Sequence, residues 1–157
     1  MKNYPVKNSL SKIYLSFSLI VITVAFLTSC RVTLVAPYDS RVSQQIEDIA
    51  RKVDKFYLTM LETTRNENNE REYSKFVDDY IDVEVELNSL LNMNRIRPLN
   101  KESTKNCQIA VDTWVKYKEK HKEKNTISNI DIDLNRDFLR DLFTVIQIGE
   151  EVKKNAN

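Results

Sequence analysis

The chain has 157 residues, 41% hydrophobic and 30% charged, which is enough for one folded domain and too apolar for a disordered chain. With one glycine and three prolines it lacks the turn residues that sheets and tight hairpins demand, so long helices are expected. Its 24 basic and 23 acidic residues nearly cancel, which leaves no electrostatic footprint for nucleic acid.

The charge is unevenly placed. Residues 1–29 hold Lys2, Lys7 and Lys12 and no acid; taking these three from the 24 leaves 21 basic residues against 23 acids, a net charge of −2. Behind the lysines, residues 13–27 (IYLSFSLIVITVAFL) form an apolar run of about 15, the length of a signal-peptide core and short of the roughly 20 that a membrane span needs. Leu27, Thr28, Ser29 and Cys30 follow, and this run resembles the lipobox of bacterial lipoproteins. Small residues let a peptidase approach the backbone, and a thiolate is the nucleophile that accepts a diacylglyceryl group. The resemblance implies cleavage just before Cys30, a diacylglycerol on its sulfur and an acyl chain on the new amino terminus. Two or three chains anchor lastingly where one binds only marginally. The competing reading is an uncleaved signal anchor, weakened by Ser16, Ser18 and Thr23. Arg31, in place of an Asp, favours the outer membrane facing the periplasm if the cell is Gram-negative. The expected divisions are a signal peptide over 1–29, the lipidated Cys30 and a tether over 30–39, and a helical domain over 40–157.

Residues 31–38 (RVTLVAPY) read as an extended tether, since Pro37 disfavours helix in the residue before it. Asp39 or Ser40 can cap a first helix over about 40–65, whose stripe is Val42, Ile46, Ile49, Val53, Phe56, Met60 and Thr64. Residues 66–69 (NENN) break it. Asn69 with Glu72 resembles a capping box opening a second helix over about 70–94. Its inner face would be Tyr73, Phe76, Val77, Tyr80, Val83, Leu87, Leu90 and Leu91, with Pro98 in the following turn. A third helix over about 103–122 turns Cys107, Ala110 or Val111, Trp114 and Tyr117 inward. After a loop over 125–130, Asp133 can cap a fourth helix over about 134–153, with Phe138, Leu139, Leu142, Val145, Ile146, Gly149 and Val152 inward. Gly149 costs about 1 kcal/mol there against alanine, which a close helix crossing would explain. Four amphipathic helices on short links are expected to bury their stripes as an antiparallel, up-down four-helix bundle.

Val35, Ala36, Pro37, Tyr38 and Asp39, then Ile46, Ile49, Val53, Asp54 and Phe56, then Pro98, Leu99 and Asn100, a helix ending near His121, and Phe138, Ile146, Glu150, Lys153 and Lys154 together resemble a group of small bacterial lipoproteins with this layout. The resemblance covers most of residues 30–154 through core positions and turns. It implies no activity and no functional residues beyond the lipobox.

The residues themselves assemble no catalytic set. Cys107 and His121 are the only candidate thiol and base, and on a continuous helix they lie roughly 21 Å apart, beyond hydrogen-bond reach. Cys107 is expected to be a buried, unreactive thiol, and His121, within KYKEKHKEK, a solvated helix end. A di-iron bundle needs two Glu-x-x-His pairs, and Lys118 stands three before the single histidine. Asp131, Asp133 and Asn135 resemble half an EF-hand loop, but Arg136 replaces the glycine and Leu142 the closing glutamate, so capping is expected. Asp78, Asp82 and Glu86 form an acidic row on the second helix, read as a solvated face or a contact for a basic partner. Tyr57, off the main stripe, and Phe143 are the aromatic candidates for an exposed contact. The expectation is a non-enzymatic envelope lipoprotein without cofactor, bound to membrane lipid through Cys30 and offering its helices to an envelope protein. A small apolar ligand inside the bundle, or a phage or plasmid lysis or exclusion role, are the alternatives.

Overall fold

As the chain leaves its extended segment, the Asp39 carboxylate accepts the Arg41 N–H at 2.9 Å and opens α1, Ser40–Thr63. In the computed structural model the described residues are 14–18, 34–63 and 71–156; Leu27, Thr28, Ser29 and Cys30, and also Asn69, lie outside them. The chain divides into two units, Met1–Leu34 and Val35–Asn157. In the first, residues 14–18 are helical with exposed side chains. Among the described residues no helix is long and apolar enough to cross a membrane.

The second unit is all-helical among the described residues. After α1, a 3-10 turn at Tyr73–Lys75 leads into α2, Val77–Arg95. The second helix therefore starts later than the apolar spacing predicts, and Glu72 stands in extended backbone before the 3-10 turn. Then come α3, Lys101–Lys124, and α4, Asn129–Glu151, which ends in a second 3-10 turn, Val152–Asn155. The cap of α4 is Ser128, not Asp133: the Ser128 hydroxyl accepts the Asp131 N–H at 3.0 Å. That places Asp131, Asp133 and Asn135 in helical turns.

The four long helices pack against one another, α1 on α2 and α4, and α3 on α2 and α4. The predicted α1 stripe from Val42 to Met60 is buried, as are Tyr80, Val83, Leu87, Leu90 and Leu91 of α2 and Cys107, Ala110, Val111 and Trp114 of α3. Rings fill the centre: Phe56 lies edge-on to Tyr57, Tyr80 and Trp114, with centroids 4.9, 4.8 and 5.4 Å away. The Trp114 indole N–H donates to the Tyr80 carbonyl at 3.0 Å, so its polar edge is satisfied without water. Gly149 has open space where a Cβ would stand, so no close helix crossing within the chain accounts for it.

His121 is 1% exposed and belongs to this core rather than to a solvated helix end. Its Nε2 lies 2.8 Å from the Arg71 carbonyl, which can only accept, so Nε2 carries the proton. Nδ1 is then the acceptor for the Tyr80 hydroxyl at 3.0 Å. Both ring nitrogens are satisfied in the neutral form, and burial lowers the imidazole pKa from its ordinary 6.5.

Two outcomes follow from this packing. Gly149→Ala should stabilise the domain by about 0.5–1 kcal/mol in urea unfolding, since the added methyl meets nothing and helix entropy favours alanine. His121 binds its proton more weakly folded than unfolded, so its contribution is complete above pH 6.5 and fades as pH falls through the lower, folded pKa. Unfolding free energy measured against pH should show that loss in the native chain and lack it in His121→Gln.

Candidate interaction surface

Two apolar stripes run along α4. At about 100° per residue, Ile132, Asn135, Leu139, Phe143, Ile146 and Glu150 share one side, and all six are buried. Ile130, Leu134, Phe138, Val145 and Ile148 fall within an arc of about 80° on roughly the opposite side, and Val152 continues the line. These six are 50–72% exposed. The line is about 33 Å long at the rise of a helix. Phe138, Val145 and Val152 are thus surface residues, contrary to the inward face expected for them; Leu142 is half-buried against the core.

The cause is polar residues on the inner side. Asn135 and Glu150 occupy core positions, so the outer stripe reads as the more apolar of the two in the sequence. The exposed carboxylates Asp133 and Asp137 border the outer stripe, and a third, Asp141, lies within its arc between Phe138 and Val145. The two arginines nearby are engaged: Arg136 meets Asp54 at 2.6 Å and Arg140 meets Asp137 at 2.9 Å. The surface is mostly apolar, with one carboxylate within the stripe and two along one edge.

The residues expected to make contacts are placed differently. Tyr57 is fully buried and Phe143 is 2% exposed, so neither is a surface contact. Tyr57 sits one step beyond the α1 stripe, where the packed arc is wide enough to take it in, and burial pushes its hydroxyl pKa well up. Asp78 and Asp82 are exposed, while Glu86 is half-buried and pairs with Lys52 at 2.9 Å. An open groove of about 680 Å³ runs along the same helix, lined by Ile81, Val85, Asn88, Asn92, Met93 and Ile96.

Cys107 is buried at 1% exposure and its thiol pKa is pushed up to about 12 by that burial. The charges acting on it are those of Lys153, Glu150 and Arg97, while His121 bonds Tyr80 and Arg71, so the fold does not assemble a thiol–imidazole pair. Among the described residues no group of three or more His, Cys, Asp or Glu could hold a metal ion.

A buried ionic cluster, which sequence reasoning missed, closes the domain where α1 begins and α4 ends. Glu150 is 1% exposed and takes Arg97 Nη1 and Nη2 at 3.1 and 2.8 Å, Lys153 at 2.5 Å and the Asp39 N–H at 2.9 Å. Burial alone would raise the Glu150 pKa; the bonds from Arg97, Lys153 and Asp39 outweigh it, and the net shift is downward. No family model, curated protein or solved structure matches this chain.

The division of α4 into two sides is open to direct measurement. Ile148→Ser should shift urea-unfolding stability by less than about 0.5 kcal/mol, and Phe138→Ser, which loses an edge contact with Tyr117, by about 0.5–1.5 kcal/mol. Phe143→Ala should cost about 3–5 kcal/mol.

Proposed function

We propose that this is a lipid-anchored protein of the bacterial envelope, without enzymatic activity, whose helical body presents the outer stripe of α4 to another protein. The observation that carries the reading is that stripe: six large apolar side chains in a line, on a helix whose opposite side already fills the core. Its acidic border favours a partner that brings an apolar strip flanked by basic residues. The signal-like first 29 residues and the lipobox-like Leu27, Thr28, Ser29 and Cys30 support the anchor, with diacylglycerol and an acyl chain on Cys30.

We also infer that the four helices run up and down as an antiparallel bundle. Bonding in mirrored order supports it. Early α1 residues bond late α4 residues, as Ser43 does with Glu151 and Gln147, and Asp54 further on bonds Arg136 near the start of α4. Between α2 and α3, Tyr80 reaches His121, Glu84 reaches Lys118 and Arg95 reaches Gln108. An apolar ligand between the helices has less support, because the rings that would line its site pack on each other.

Cys30→Ala should abolish metabolic lipid labelling of the chain and leave it as an uncleaved precursor; persistence of label and processing would refute the anchor. Independently, a photocrosslinker at Phe138 should trap one protein in intact envelopes, and Asp137→Lys with Asp141→Lys should reduce its yield severalfold at unchanged expression. Equal yields from Phe138 and from exposed Asp78 would count against a docking stripe.

A further inference from the structure

The loop between α2 and α3 exposes two large apolar residues. Ile96 is 82% and Leu99 59% exposed, and Leu99 holds a left-handed backbone conformation with φ 57°. A branched side chain rarely adopts that conformation, and here it sits on a loop open to solvent. Beside Leu99 lies a depression of about 350 Å³ lined by Arg95, Arg97, Asn100, Lys101 and Thr104. No carboxylate lines it. Arg97 is committed to Glu150, but Arg95 bonds only the neutral Gln108, and Lys101 makes no ion pair among the described residues. The Thr104 hydroxyl donates to the Asn100 carbonyl and the Asn100 amide to Asn94, so the groups this hollow offers an anion are the two exposed cations Arg95 and Lys101, which suit a phosphate group.

The position of this loop names the occupant. The Ala36 N–H donates to the Leu99 carbonyl at 3.1 Å, and Arg97 Nη2 donates to the Pro37 carbonyl. The start of the domain is therefore fixed to this loop. Ala36 is six residues beyond Cys30, at most about 20 Å of extended chain. If Cys30 carries lipid, the reading proposed above on which the choice of a lipid as occupant rests, the loop stays within that distance of the headgroups.

We propose that the α2–α3 loop is a second membrane contact, with Ile96 and Leu99 among the headgroups and the hollow beside Arg95 and Lys101 holding the phosphate of an anionic phospholipid. The contact fixes the orientation of the domain on the leaflet, which a flexible tether alone does not.

The test is hydrogen–deuterium exchange of the processed full-length protein in vesicles of phosphatidylcholine and of an equal mixture with phosphatidylglycerol. Amides of residues 95–104 should exchange at least about threefold more slowly on the anionic vesicles, and the difference should shrink as salt is raised. Arg95→Gln with Lys101→Gln, both at exposed positions, should remove the difference while the core amides of α1 stay protected. Leu99→Asn, which suits the same backbone conformation, should weaken it. Equal exchange on both vesicles would overturn the proposal, as would protection produced equally by inorganic phosphate in detergent, which would mark a free-phosphate site. The mass of the purified chain reports acylation separately. An unacylated chain would end the anchor reading, and the same exchange comparison on it still decides whether this loop takes anionic lipid.

Discussion

The Glu150 carboxylate is the constraint on which the rest of the domain depends. It lies at 1% exposure and joins three stretches of chain far apart in sequence: the segment entering α1, the α2–α3 loop and the end of α4. A buried ion pair contributes little net stability over an apolar substitute, because desolvation offsets most of the attraction. Its effect is on geometry. Arg97 and Lys153 must both reach one carboxylate, and Lys153 must also satisfy the Asn100 amide oxygen at 2.7 Å and the Ser103 hydroxyl at 2.9 Å. Asn100 in turn donates to Asn94 at 2.7 Å. Each of these groups left alone would cost more than the bond it makes, so the cluster tolerates few alternative arrangements of the loop and the helix ends.

A second network does the equivalent work where α3 ends. Arg71 donates to the Ile127 carbonyl and to Asn129, while its own carbonyl takes His121. Asn125 closes α3 in left-handed backbone and accepts the Tyr73 N–H at 3.1 Å. Burial opposes the charged form of both Arg71 and His121; arginine keeps its charge and is bonded to oxygens, whereas histidine gives up its proton and bonds as a neutral ring. Between the two networks the ring cluster supplies the apolar area, and Trp114 with its bond to Tyr80 links it to the backbone of α2.

How much of this was legible depends on whether the information is local. The α1 stripe reads correctly because its apolar residues lie on one side and its charges on the other. The cap of α4 was legible and overlooked: Ser128 with Asp131 has the spacing of a capping box, and the Ser128 hydroxyl both accepts the Asp131 N–H and donates to its carboxylate. The inner side of α4 was not legible. Periodicity counts apolar residues, and the two stripes share one period, so Asn135 and Glu150 inside and Phe138 and Val145 outside invert the signal. His121 was hidden for a different reason. Its neighbours in sequence are charged, and it is covered by the rings of Tyr73, Phe76 and Tyr80 and by the Arg71 carbonyl, forty to fifty residues away in the chain. A contact of that separation has no trace in a window of local residues.

The same non-locality separates the lipobox-like run from the surfaces of the helical domain. The lipobox-like run is legible because it consists of four adjacent residues. The α4 stripe and the cationic loop are surfaces, set by contacts between residues far apart in sequence; at the loop, Glu150 draws Arg97, Lys153 and the start of α1 together. With Arg97 held there, Arg95 and Lys101 remain beside it with no carboxylate lining their hollow. With Glu150 and Asn135 taking two inner positions of α4, the more apolar side is left facing out. One buried carboxylate thereby holds the start of α1, the α2–α3 loop and the end of α4 in one arrangement, while the apolar residues Ile132, Leu139, Phe143 and Ile146 fix which side of α4 faces in.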